Sequence, residues 1–179
     1  MRTLQMHFNR SWKHPSPQSV MIDIPSDCRE DLLWWSHQAN LRAGKEFARR
    51  SAHVRLFTDA SLDGWAATML DLKIQGDWNS DERQLSINLL ELRAIRLGLQ
   101  AFQLRLRGLN VGIMADNTTA LAYIRNEGGT RSFSLNREAQ LVLEWAESLD
   151  VQLLPQYIQG KLNVDADTLS RKNKPIQTK

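Results

Sequence analysis

The stretch Leu89-Leu90-Glu91-Leu92-Arg93-Ala94-Ile95-Arg96-Leu97-Gly98-Leu99-Gln100-Ala101-Phe102 repeats apolar residues three and four apart, the period of a helix that buries one face. Such a face needs a surface to lie on, and the flanking residues read as strands. Ahead of it, Val54-Arg55-Leu56-Phe57-Thr58-Asp59 has the β-branched and aromatic content of a strand, and Ala60-Ser61-Leu62-Asp63-Gly64 supplies turn chemistry. Trp65 to Leu72 and Lys73 to Trp78 read as two more short strands, which makes an antiparallel meander of three, closed by the polar loop Asn79 to Gln84.

Behind the helix, which Gly108 is expected to terminate, Val111-Gly112-Ile113-Met114-Ala115-Asp116 is a short apolar strand. Asn117-Thr118-Thr119 then caps a helix reaching about Asn126, before Gly128-Gly129. A further helix is expected from about Leu135 to Leu149, then a strand from Val151 to Tyr157 whose Pro155 suits an edge, then a last helix from about Asn163 to Ser170. The order is three strands, helix, strand, two helices, strand, helix. It calls for an α/β fold with a mixed sheet and helices packed on it.

Upstream, Pro15, Pro17 and Pro25 among scattered polar residues predict an irregular arm over residues 1 to about 25. Ser26 sits where a helix cap is expected, and Leu32, Trp35 and Ala39 recur at helical spacing until Gly44, so one amphipathic helix should follow. The chain thus divides into residues 1–50, an arm and a helix; 51–171, the α/β domain; and 172–179, a basic tail.

Composition agrees with one domain plus an arm: 179 residues, 42% hydrophobic and 24% charged, suffice for a real core and argue against wholesale disorder. No run of about 18 apolar residues is present, and the N-terminus lacks the apolar stretch of a secretory signal, so the expectation is an intracellular protein with no membrane partner, in cytoplasm or nucleus. Cys28 is the only cysteine and all four histidines precede residue 54, which makes a zinc site unexpected. A formal net charge of +3 with a pI near 9.2 favours a polyanionic partner only weakly. The basic residues gather in 42–55, 93–107 and the last nine positions, where solvated helix faces and a loose tail explain them equally well.

Four acids draw attention, although each has a local explanation. Asp59 at a strand end suits a turn-starter; Glu91, three residues after Asn88, fits a capping box; Asp116 could cap the helix beside it, and Asp167 could face solvent. Topology changes their weight, because the ends of adjacent strands and the starts of the following helices converge on one edge of such a sheet. Carboxylates gathered there repel one another, and divalent cations relieve the repulsion. Hard oxygen ligands suit Mg²⁺ or Mn²⁺, and two such ions about 4 Å apart can activate a water and stabilise the leaving oxygen of a phosphodiester.

Five strings in order resemble a known family: Thr58-Asp59-Ala60-Ser61, Asn88-Leu89-Leu90-Glu91-Leu92, Ala115-Asp116-Asn117-Thr118-Thr119, Gly128-Gly129-Thr130-Arg131-Ser132, and Leu162-Asn163-Val164-Asp165-Ala166-Asp167-Thr168-Leu169-Ser170-Arg171. Over about residues 50 to 171 the chain is similar to the ribonuclease H domain that follows reverse transcriptase in retroelements, above all the tyrosine-recombinase retrotransposons of the DIRS type. The segment with Leu32-Leu33-Trp34-Trp35 also looks like the connection between the polymerase and ribonuclease H parts of such proteins.

The resemblance implies a ribonuclease H-like fold with a five-stranded mixed sheet, three antiparallel strands plus two parallel, flanked by helices. It implies an endonuclease that cuts the RNA strand of RNA–DNA hybrids with two Mg²⁺ ions, Mn²⁺ being a substitute, and a reverse transcriptase polymerase domain as partner. The four family carboxylates fall on Asp59, Glu91, Asp116 and Asp167. By analogy with that family Asp59 would bridge both metals, Asp167 would help hold the ion that activates water, and Glu91 and Asp116 would hold the ion near the leaving group. Asp165 is the runner-up to Asp167, which aligns without a gap in Ala166-Asp167-Thr168-Leu169-Ser170-Arg171. Hybrid recognition is expected through phosphates and 2′-hydroxyls rather than base edges, with Ser61, Asn117, Thr118, Arg131 and Arg171 as the candidates. Helix capping by Asn117 and Thr118 and solvated faces for the arginines are the bland alternatives.

One departure stands out. Many members carry a histidine just before the final helix, whereas this chain has Tyr157-Ile158-Gln159-Gly160, and tyrosine is a poor proton carrier near neutral pH. That change motivates a second reading, a non-catalytic nucleic-acid-binding or scaffolding remnant. A strand-transfer enzyme on the same kind of sheet is a third, disfavoured by an acid on the first long helix.

Overall fold

The computed structural model describes residues 2–12, 21–43 and 51–170. It comprises two compact units, Met1–Arg49 with Gly129–Phe133, and Arg50–Gly128 with Ser134–Lys179.

In the first unit, α1 (Arg2–Ser11) replaces part of the expected irregular arm. The three prolines that suggested irregularity all follow it. Its first turn is satisfied from far along the chain, since the Leu4 N–H donates to Asp31 Oδ2 at 3.2 Å, a contact no local pattern reveals. The single amphipathic helix expected next is two, α2 (Ser26–Ser36) and α3 (Gln38–Ala43), broken where His37 turns extended with ψ 115°. Ser26 is the first helical residue rather than the cap; Pro25 precedes it. Gly44, the expected stop, lies outside the described residues. Met6 and Cys28 are buried in this unit, and burial, then the charges of Asp27 and Asp31, push the Cys28 thiol up from its ordinary pKa.

The second unit is built on one sheet. β1 (Val54–Ala60) pairs antiparallel with β2 (Gly64–Met69), which pairs antiparallel with β3 (Leu72–Asp77). β1 also pairs in parallel with β4 (Asn110–Ala115), and β4 in parallel with β5 (Gln152–Tyr157). The order β3-β2-β1-β4-β5 is the expected mixed sheet of three antiparallel and two parallel strands, with Pro155 on an edge strand where its missing N–H costs nothing. The meander strands start and end one to three residues earlier than their sequence pattern, because the turn sits at Leu70-Asp71 between the paired Met69 and Leu72.

α4 (Ile87–Ala101) lies across β1 and β2. Its Leu92, Ile95 and Leu99 are buried with Leu56, Ala67, Met69 and Ile113 of the sheet, while Leu90 and Ala94 join Ala60 and Trp78 in a second cluster. Each leucine, isoleucine or methionine side chain so removed from water contributes on the order of 1.5–3 kcal/mol, which is why a central helix buried on two sides anchors the unit. The helix ends at Ala101 and a 3₁₀ turn, Gln103–Arg105, follows. Gly108, the expected terminator, instead takes a left-handed φ of 71° as the chain turns into β4.

α5 (Thr118–Arg125) follows β4, α6 (Phe133–Ser148) precedes β5, and α7 (Val164–Ser170) closes the described chain against β1 and β2. Between α4 and α6, Glu138 of α6 takes Arg96 Nε at 2.5 Å and an Arg93 guanidinium nitrogen at 3.4 Å; Arg93 also reaches Glu82 at 3.0 Å. The basic tail 172–179 lies outside the described residues.

Candidate active site

Parallel pairing sets the first two carboxylates. Phe57 is opposite Met114 in the β1–β4 register, so Asp59 and Asp116, each two residues further on, emerge side by side at the same end of adjacent strands. α4, packed on β1, brings Glu91 to them. Asp59, Glu91 and Asp116 each offer a carboxylate oxygen, and these oxygens lie within 4.8 Å of one another. Asp59 and Glu91 are 3% and 4% exposed, while Asp116 is half-buried.

The capping-box explanation of Glu91 does not hold. α4 begins at Ile87 with Ser86 as its cap position, so Asn88 is already inside the helix and its Oδ1 instead accepts from Asn117 Nδ2 at 2.9 Å. Asn117 also caps α5 as expected, its side chain accepting from the Ala120 N–H at 2.9 Å. One residue therefore ties the starts of α4 and α5 together directly after Asp116.

Asp167 stands on α7, half-buried, and is not one of the three that fall within 4.8 Å. Nothing is described of the Asp165 side chain. What α7 does place at the cluster is Ser170, whose hydroxyl donates to Asp59 Oδ2. Asn163, just before α7, is buried and donates from Nδ2 to the Thr58 carbonyl at 2.9 Å. The sequence reading missed both residues, since each acts on β1 across more than a hundred positions.

Among the candidates for substrate, Thr118 is exposed at the start of α5 and Asn117 is half-buried beside it. Ser61 organises the turn after β1: its hydroxyl accepts from the N–H groups of Asp63 and Gly64 and lies 2.5 Å from the Ser170 carbonyl. Arg131 is exposed in the other compact unit, and Arg171 lies outside the described residues.

The donor set, three carboxylates within reach of one another, fits a hard divalent cation, which prefers oxygen ligands. Two buried acids beside a third are otherwise costly, because their negative charges repel in a poorly hydrated place. Arg93 and Arg96, the arginines that follow Glu91 on α4, are engaged with Glu82 and Glu138.

No family model matches the chain, and no curated protein matches it. Solved structures do. The RNase H1 of the archaeon Halobacterium salinarum NRC-1 superposes with a TM-score of 0.53 at 15% identity, over 65% of this chain and 92% of that one. LC11-RNase H1, solved in complex with an RNA/DNA hybrid, gives 0.56 at 14% identity over 65% and 92%. The N-terminal RNase H domain of a Mycobacterium tuberculosis protein gives 0.54 at 12% over 67% and 93%. The fold is that of ribonuclease H.

Within this ribonuclease H fold, Tyr157 ends β5 opposite Ala115 and is 51% exposed. His53, the one described histidine of this unit, sits at the start of β1, where its Nδ1 accepts from the Asn110 N–H at 2.9 Å, at the far end of β1 and β4 from Asp59 and Asp116. No helix of the described residues is long and apolar enough to cross a membrane.

Proposed function

We propose that the chain is an endonuclease that hydrolyses the RNA strand of RNA–DNA hybrids, the ribonuclease H part of a retroelement reverse transcriptase of the DIRS type. The observation that carries this reading is the meeting of Asp59 at the end of β1, Asp116 directly after the adjacent β4, and Glu91 on the helix packed on β1, at one end of a ribonuclease H-like sheet. The five ordered strings, and a fold shared with a protein solved on an RNA/DNA hybrid, support it.

In this reading Asp59, Glu91 and Asp116, with Asp167 from α7, hold two Mg²⁺ ions. When bound, such ions activate a water and stabilise the leaving oxygen of a phosphodiester. The protein's own part is positioning. The β1–β4 register fixes the spacing of Asp59 and Asp116, and the packing of α4 fixes Glu91. Asn117 and Thr118 follow Asp116 at the start of α5, so a strand held at the carboxylates passes them. Ser61 and Arg171 are proposed for further phosphate and 2′-hydroxyl contacts, and Arg131, in the other compact unit, for a phosphate contact of its own. A polymerase domain is the proposed protein partner, and cytoplasm or nucleus the proposed site of action.

The exposed Tyr157 favours one other reading, a hybrid-binding remnant without turnover. An end-labelled hybrid, offered with Mg²⁺ and then Mn²⁺ beside single-stranded RNA and duplex RNA, separates the two. Metal-dependent cutting of the hybrid's RNA strand alone, lost in Asp116→Asn, is the expected result. Folded protein that binds the hybrid and never cuts it would establish the remnant instead.

A further inference from the structure

The hydroxyl of Ser170, on the last described residue of α7, donates to Oδ2 of Asp59, 111 positions earlier in the chain. Both side chains are buried, Ser170 being 1% exposed and Asp59 3%. A hydroxyl has one proton, and the Asp59 carboxylate oxygen is the nearer of its two acceptors, the Asp167 carbonyl being 3.1 Å away.

Ser170 is itself fixed from β1. The Ser61 hydroxyl, in the turn that leaves β1, lies 2.5 Å from the Ser170 carbonyl. At the other end of α7, Asn163 Nδ2 donates to the Thr58 carbonyl, the residue before Asp59. α7 is thus tied at both its ends to the strand segment that carries Asp59.

The terminal torsion of an aspartate is broad and nearly two-fold, so a strand fixes where its carboxylate sits but not how its oxygens are turned. A buried donor on one oxygen removes that freedom and leaves the other oxygen and a remaining lone pair directed elsewhere. Resting on the metal-site reading above, we infer that Ser170 is a positioning residue that orients the Asp59 carboxylate for divalent-cation binding, with Ser61 and Asn163 holding α7 in place to do so. The same short helix carries Asp167, so α7 would contribute one candidate ligand and the orienter of another.

The test is Mn²⁺ binding to the whole chain, measured by titration calorimetry, for the parent, Ser170→Ala and Ser170→Thr, with unfolding of each followed without metal. Partners of this kind change metal affinity by about 10–100-fold. We expect Ser170→Ala to bind Mn²⁺ at least about 10-fold more weakly while remaining folded, with Ser170→Thr, which keeps the hydroxyl, recovering affinity. Unchanged affinity in a folded Ser170→Ala overturns the inference and leaves the metal site standing. A parent that binds no Mn²⁺ overturns the metal reading itself, and this inference with it.

Discussion

Gly160 sits against the carboxylate of Asp116, so close that a Cβ added to the glycine would lie 2.8 Å from Oδ2. The loop after β5 therefore walls the carboxylate cluster through the backbone of Gly160. What would have to give on substitution is the end of a flexible aspartate, not backbone.

Gly160→Ala should for that reason disturb the site more than the fold. We expect Mn²⁺ affinity and hybrid cleavage to fall together by about 10-fold, as for other changes that misplace a ligand, with the denaturant midpoint almost unmoved. Calorimetry and urea unfolding on the same preparation check this. A fall in stability with metal affinity intact would show that the loop yields rather than the carboxylate.

Repulsion among three acids gives a second expectation. Glu91→Gln keeps shape and removes one negative charge from beside Asp59 and Asp116, so the metal-free protein should gain about 1 kcal/mol, roughly 2–4 °C in Tm for a chain of this size. The metal response should reverse the order. A saturating divalent cation at about 100 times Kd adds about 2.7 kcal/mol to the parent, and Glu91→Gln should gain much less. Thermal melts with and without Mn²⁺ decide it, and a Gln variant that melts lower without metal would make Glu91 a structural acid.

These expectations show what could be read from the chain and what could not. β1, α4 and the Asn117 cap announce themselves because period, composition and capping are local properties, visible within a few residues. Topology placed Asp59 and Asp116 at one edge of the sheet, but that they stand side by side depends on the β1–β4 register, which no spacing encodes. Glu91 had a ready local explanation in Asn88, and only the true start of α4 at Ile87 removes it. α1 was hidden by prolines that lie after it and by a first turn closed from Asp31. Ser170 and Asn163 act through contacts more than a hundred residues away, so nothing beside them in the sequence marks what they do.

The Glu138 link between α4 and α6 should matter to stability and not to chemistry. Its side chain is 5% exposed and the two arginines it serves are about one-fifth exposed, at 21% and 22%. Removing one partner of a well-buried pair costs about 3–5 kcal/mol, and the partial exposure of the arginines lowers that here to about 2 kcal/mol for Glu138→Ala. Urea unfolding checks the loss. Cleavage per folded molecule should match the parent, and a selective loss of cleavage would instead connect the ion pairs to Glu91.

Gly98 tests the packing that carries Glu91 to its place. A Cβ there would stand 2.7 Å from the Cβ of Ala67 on β2, with Leu56 and Thr58 at 3.5 Å, so α4 approaches the sheet as closely as it does because this residue has no side chain. Two effects oppose one another in Gly98→Ala. Alanine favours the helix by about 1 kcal/mol, while forcing a methyl group into a filled interior costs about 1–3 kcal/mol. Ala67 hangs directly on strand backbone and has no rotamer with which to retreat, so the cost should win and the protein lose about 1 kcal/mol. The helix would relieve the clash by lifting from β1 and β2, which moves Glu91 away from Asp59 and Asp116. Gly98→Ala should therefore lower both the denaturant midpoint and Mn²⁺ affinity, whereas Glu138→Ala lowers the first alone; a raised midpoint in Gly98→Ala would mean that α4 has room above the sheet and that its height does not set the site.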